Sequence, residues 1–156
     1  IGVSQSAAQD FIHAYFAGYP AVRAYIDRTL ADARVSGVVK TVTGRRRLVP
    51  ELKSANGMIR AAAERETVNM PIQGTAADIL KKAMIDVAAA LEARRRQGGG
   101  GRMILTVHDE LLFEAPAGEA DEVAALVQHG MEHAFPLDVP LTVDVGVGPD
   151  WKAAKP

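Results

Sequence analysis

The sequence predicts an α+β domain, a small antiparallel sheet built around one β-hairpin and packed by several helices. Three observations predict it. Residues 103–107 and 111–113 are apolar, strand-like runs separated only by His108-Asp109-Glu110, the pattern of a hairpin with acids at its tip. Residues 75–96 carry an apolar stripe at helical spacing through Ile79, Leu80, Ala83, Met84, Val87 and Leu91. Residues 141–147, LTVDVGV, alternate as a half-buried strand does.

In chain order, Ser4 is the N-cap of a helix over 7–19, with Phe11, Ile12, Tyr15 and Phe16 on one face. Pro20 opens a second helix, in which Val22, Tyr25, Ile26 and Leu30 recur at helical spacing, ending near Gly37. Residues 38–42 and 48–49 are short strands joined by 43–47, TGRRR, a turn loaded with positive charge. A helix over 56–69 follows. Pro71 ends or bends it, and can also sit in the first turn of the helix over 75–96. Residues 97–101 are a glycine linker with no structure of their own. After the hairpin, 120–134 is a helix with Val123, Leu126, Val127 and Met131 inward. The 141–147 strand is then expected to join both hairpin strands in one antiparallel sheet.

Bulk properties exclude several classes. A chain of 156 residues can bury a real core. Its net charge of −1 does not announce a nucleic-acid binder. The absence of cysteine excludes disulfides and thiolate zinc sites and fits a reducing cytosol, so a cytoplasmic, membrane-free protein is expected. No apolar run reaches the roughly 18 to 20 residues of a membrane span. With no initiator Met and no signal-peptide pattern, the chain is expected to be a processed product or part of something longer.

Chemistry concentrates at the hairpin tip. Two-residue hairpin turns need φ > 0 and normally use glycine, yet none is present. Asp109 and Glu110 suit a hard divalent cation such as Mg²⁺. They equally suit a solvated acidic turn. Neighbouring strand residues point to opposite faces, so one tip cannot supply a two-metal site, and a further carboxylate is needed. Glu114, Asp144 and Asp86 are the candidates. His108 either orients a phosphate or ends a strand.

Arg65, Asn69 and Gln73 lie four apart and would form one polar stripe on a continuous helix. Their donors match the acceptors A N3 and T O2 of the DNA minor groove. Interrupted by Pro71, the same residues read as a helix edge with Asn69 as a cap. Gly74-Thr75-Ala76-Ala77 permits close approach of either a nucleic acid or another helix. Arg45, Arg46 and Arg47 suit phosphate contacts, whereas Arg94, Arg95 and Arg96 end a helix, where the dipole favours cations.

These pieces, in this order, resemble the C-terminal part of family A DNA polymerases of the bacterial DNA polymerase I type. TVHDELLFEAP resembles the family's motif C, and ERETVNMPIQGTAADILKKAM resembles the segment before it. GRRRLVPEL, AQDFIHAYFAGYPAVRAYI and LDVPLTVDVGVGPDW resemble further segments, so the likeness spans nearly the whole chain. It implies a catalytic hairpin in a small palm sheet. Residues 1–72 would be the end of the fingers region, and 73–156 the C-terminal part of the palm. It also implies DNA-directed DNA polymerase activity with two Mg²⁺ ions, on primer–template DNA and deoxynucleoside triphosphates, by a monomer. Asp109 would bind metal, Glu110 support the site, and His108 meet the primer terminus. Arg65, Asn69 and Gln73 would face the minor groove, and Arg45, Arg46 and Arg47 the DNA backbone.

The family's other catalytic aspartate, in a strand reading roughly Asp-Tyr-Ser-Gln, has no counterpart here. The chain is therefore expected to hold half a catalytic site and not to extend primers alone. Two other readings stand beside this one. The palm of a phage-type single-subunit RNA polymerase has a similar His-Asp hairpin, but Glu110 and QGTAAD favour the DNA enzymes. A non-catalytic duplex DNA-binding module would bind duplex in a salt-sensitive way on its own. A metal-dependent hydrolase built on His108 and Asp109 lacks ligands.

Overall fold

The computed structural model describes residues 2–155. Two compact units are present, one ending at Thr75 and the other beginning at Ala76.

In the first unit, α1 (Gln5–Gly18) begins where the Ser4 hydroxyl accepts the Ala7 N–H at 3.2 Å. Pro20 starts α2 (Pro20–Ser36), its fixed φ suiting a first helical turn. Gly37 ends α2 at φ 71, a left-handed cap that a side chain would resist. Strands β1 (Val38–Lys40) and β2 (Arg46–Leu48) then pair antiparallel, Val38 with Leu48, Val39 with Arg47 and Lys40 with Arg46. This shifts the expected turn. Arg46 and Arg47 belong to a strand, and only Arg45 closes the turn. The Thr41 N–H donates to the Arg45 carbonyl at 2.9 Å, and the Arg45 N–H to the Thr41 hydroxyl at 3.0 Å. That closure frees residue 46 for the ladder.

The helix does not end at Pro71. After a short 3-10 turn (Pro50–Lys53), one helix, α3 (Gly57–Arg96), runs for 40 residues with Pro71 inside it. Proline removes the N–H that would bond the Thr67 carbonyl and normally breaks a helix. Tertiary packing overrides this. Ala63 and Met70 pack against Ala33, Val39, Val49, Leu52 and Leu30. Around the proline, Tyr25 donates to the Val68 carbonyl at 3.3 Å, Thr75 donates its hydroxyl to the Pro71 carbonyl, and Thr75 in turn accepts the Val42 N–H at 3.0 Å. Asn69 is therefore not a cap and Gln73 is not in a first turn.

In the second unit, β3 (Arg102–Val107) and β4 (Glu110–Glu114) form the hairpin, with a bulge between Met103 and Leu105. Helix α4 (Ala120–Glu132) lays Val123 and Val127 onto Val87 and Leu91, with Met103, Phe113, Leu126 and Met131 at the margin. Two corrections arise here. The glycine linker is held rather than free. Arg94 donates to the Gly100 carbonyl at 3.2 Å and to Glu119 and Glu122 at 2.7 Å each, while Glu119 accepts the Gly100 N–H at 2.6 Å. Residues 141–147 are not a strand, so the hairpin has only its own two strands among the described residues. Side chains take the place of a ladder there: Glu132 accepts the Val143 N–H at 3.1 Å, and Gln128 donates to the Val143 carbonyl at 3.0 Å. With four helices and two small antiparallel sheets among the described residues, the fold class is α+β.

Candidate active-site hairpin and nucleic-acid face

Val107 pairs with Glu110, so the turn contains only His108 and Asp109, and Glu110 opens β4 rather than belonging to the turn. His108 sits at φ 55, the only non-glycine residue with positive φ among the described residues. A left-handed residue with a side chain costs on the order of 1 kcal/mol. The turn is thus spent on a histidine where glycine is easier, next to an exposed carboxylate, Asp109.

Asp109, Glu110, Glu114 and Asp144 all line one cleft of about 730 Å³. They do not make an ion cage, and no three His, Cys, Asp or Glu residues among those described stand close enough to hold a metal. Glu114 is paired with Arg102 at 2.6 Å, and Asp86 with Lys82 on its own helix. The Lys155 ammonium stands 3.9 Å from Glu110. The donors present fit a single carboxylate ligand to a hard cation. They do not fit a complete two-ion site.

In the first unit, continuity of α3 makes Arg65, Asn69 and Gln73 one exposed line at helical spacing, with Ile72 58% exposed beside them. Gly74 faces inward, because a Cβ there would meet the Thr41 methyl at 2.6 Å. Its smallness serves packing against the ribbon. The arginine run splits in three. Arg45 closes the turn, Arg47 is ion-paired with Glu66, and Arg46 lies exposed directly opposite Lys40. Arg94 holds the glycine loop, whereas the exposed Arg95 and Arg96 pair only with Glu92 on their own helix. Sequence reading missed Lys40, Glu66 and Lys155. For Lys40 no sequence signal was available, since the register that puts it across from Arg46 is set only in the folded ribbon.

DNA polymerase family A matches residues 1–153. The chain belongs to DNA polymerase family A. Thermostable DNA polymerase I of Thermus filiformis is 49% identical over 155 residues, covering 99% of this chain and 18% of that protein. DNA polymerase I of Deinococcus radiodurans is 51% identical over 151 residues, 97% of this chain and 15% of that protein. The POL domain of Pol1 from M. smegmatis, solved in complex with DNA primer-template and dNTP, superposes with a TM-score of 0.89 at 47% identity over 97% of this chain and 26% of that one. The chain thus spans about 15–18% of the length of these curated relatives. Family A polymerases generally use divalent metal ions. No helix among the described residues is long and apolar enough to cross a membrane.

Proposed function

We propose that this chain is part of a DNA-directed DNA polymerase and carries one half of its metal site at the His108–Asp109 turn. One observation carries the reading: within a family A chain, a strained two-residue turn presents an exposed carboxylate at the hairpin tip. Asp109 is one metal ligand, and the remaining carboxylates come from residues outside those that surround it here. Two Mg²⁺ ions, when bound at such a site, stabilise the attacking and leaving oxygens of an in-line displacement. This chain's own residues bind and orient. Glu110 supports the tip from the first position of β4, and His108 holds the primer-terminal region. Arg65, Asn69 and Gln73 line the primer–template minor groove and test duplex shape with donors, without reading sequence. Arg45, Arg46 and Arg47 lie along the DNA backbone, all three exposed.

The reading assigns residues 1–72 to the end of the fingers region and 73–156 to the C-terminal part of the palm. Its substrates are primer–template DNA and deoxynucleoside triphosphates, and the protein is a cytoplasmic monomer. The test is Asp109→Ala in the natural polypeptide that carries this sequence. Primer extension should fall by at least about 100-fold, more than losing an outer-shell partner of a metal ligand costs. The free energy of unfolding in urea should change by no more than about 0.5 kcal/mol, because an exposed turn carboxylate packs against little. Retained extension would end the assignment, and loss of folding would make Asp109 structural.

A further inference from the structure

Helix α4 carries a feature that the polymerase reading does not use. His129 and His133 are four apart, both exposed, one in the last turn of α4 and the other at its C-cap. Their rings face each other with centroids 4.1 Å apart and planes tilted by 34°. His133 Nδ1 lies 2.9 Å from the His129 carbonyl oxygen.

We propose that His129 and His133 chelate one borderline transition-metal ion of the Zn²⁺, Ni²⁺ or Cu²⁺ type. First, histidines at i and i+4 share one helix face, the spacing used by helical zinc motifs. Two nitrogens each bonded to a tetrahedral zinc at about 2.0–2.1 Å stand about 3.4 Å apart. Ring centroids 4.1 Å apart set the two imidazoles side by side, and side-chain rotation then brings one nitrogen of each to that separation.

Second, a ring nitrogen held against a carbonyl oxygen must be the N–H, which leaves the lone pair of His133 on Nε2. Metal-binding histidines are oriented in this way, with the far ring nitrogen donating to a backbone carbonyl. The arrangement fixes one tautomer in the form that binds a cation. Third, the pair stands at a helix C-terminus, where unsatisfied carbonyls and the helix dipole favour positive charge.

Chemistry selects the ion. Imidazole suits zinc, nickel and copper, whereas Mg²⁺ prefers hard oxygen ligands, so this pair does not compete for the polymerase ion. Glu132 turns its Oε1 to the Val143 N–H and to the Gln128 amide. No third His, Cys, Asp or Glu joins the pair among the described residues, so water completes the coordination. Such a site is open and exchanges its ion readily.

The test is calorimetric titration of the 156-residue chain with Ni²⁺ and with Zn²⁺, Mg²⁺ serving as comparison. We expect one saturable Ni²⁺ or Zn²⁺ site per chain, untagged retention on immobilised Ni²⁺, and no competition by Mg²⁺. Affinity should fall at least tenfold in His129→Ala and in His133→Ala, each with an unchanged far-ultraviolet circular dichroism spectrum. The double variant should no longer be retained on the resin. The proposal is overturned if the wild-type chain shows no saturable binding up to millimolar metal. It is equally overturned if both single variants bind within twofold of wild type, or if binding disappears with His108→Ala instead.

Discussion

At the scale of single residues, His108 is where local backbone preference and purpose part company. A two-residue turn at φ 55 asks for glycine or asparagine, and the chain supplies histidine. Substitution at this position separates turn geometry from chemistry. His108→Asn, which tolerates the left-handed region, should leave the urea midpoint unchanged. His108→Val should cost about 1–2 kcal/mol, because a β-branched side chain is the worst occupant of that region. Equal midpoints for the two variants would show that the backbone relaxes and that no strain is stored in the turn. The missing glycine was legible in the sequence, since two strand patterns two or three residues apart leave only a tight turn. The role of Glu110 was not legible. Whether it belongs to the turn or to the strand depends on one residue of register, which hydropathy does not resolve.

At the scale of elements, the ribbon β1–β2 sets Lys40 directly across from Arg46, both exposed. Like charges in a cross-strand pair are unfavourable by roughly 0.2–1 kcal/mol. Lys40→Glu should therefore stabilise the folded chain by up to about that amount. In the natural polypeptide it should also weaken duplex binding and flatten its dependence on salt by about one phosphate contact. A variant that binds duplex with wild-type affinity and salt slope would remove the ribbon from the DNA-facing surface.

The clip at the base of the hairpin makes a second element-scale prediction. Glu119 is held below its usual carboxylate range, first by the Gly100 N–H and then by the Arg94 guanidinium. A carboxylate with a depressed folded pKa stabilises the fold above its unfolded pKa, and that stability is lost as pH falls through the folded value. Wild type should thus exceed Glu119→Gln in urea midpoint at neutral pH. The gap should narrow as pH drops below ~4.3. A gap that is constant with pH would mean that the charge on Glu119 is immaterial.

These elements also mark where sequence reading stops. The caps Ser4 and Gly37 and the stripe Ala83, Val87, Leu91 are local signals and gave the helices directly. Pro71 misleads because its effect is decided by partners distant in sequence, Tyr25 and Val42, which secure the backbone around it. Residues 141–147 mislead for a related reason. Alternation reports one-sided burial, and pairing needs a neighbouring strand edge, whereas here Gln128 and Glu132 take the Val143 backbone groups.

For the whole molecule, ligand number is the governing quantity. Among the described residues no three candidate ligands gather, and two-ion phosphoryl transfer needs several oxygens around ions about 3.5–4 Å apart. The 156-residue chain, purified free of host polymerase, should therefore show no Mg²⁺-dependent primer extension. Extension above the level of an Asp109→Ala control would mean that the ligand set is complete after all. Motif reading reached the family from residues alone, because VHDE and QGTAAD at their separation are specific in combination. It did not reach the division of labour within GRRR, since one arginine of the three closes a turn, another meets Glu66 and the third faces Lys40.

The grip of Arg94 on Gly100, Glu119 and Glu122 bears on how this chain meets a protease. By composition, three consecutive arginines followed by a glycine tract invite trypsin. The three are unequal. Arg94 keeps 23% of its side-chain surface, against 69% for Arg95 and 76% for Arg96. A protease needs a peptide that can unwind into its cleft, and such sites concentrate at exposed, loosely held backbone. Limited digestion should then cut after Arg95 or Arg96 and spare Arg94. The product would be a nicked chain in which Arg94, on one fragment, still holds Gly100 and Glu119 on the other, so that the break shows on a denaturing gel before it shows in native mass.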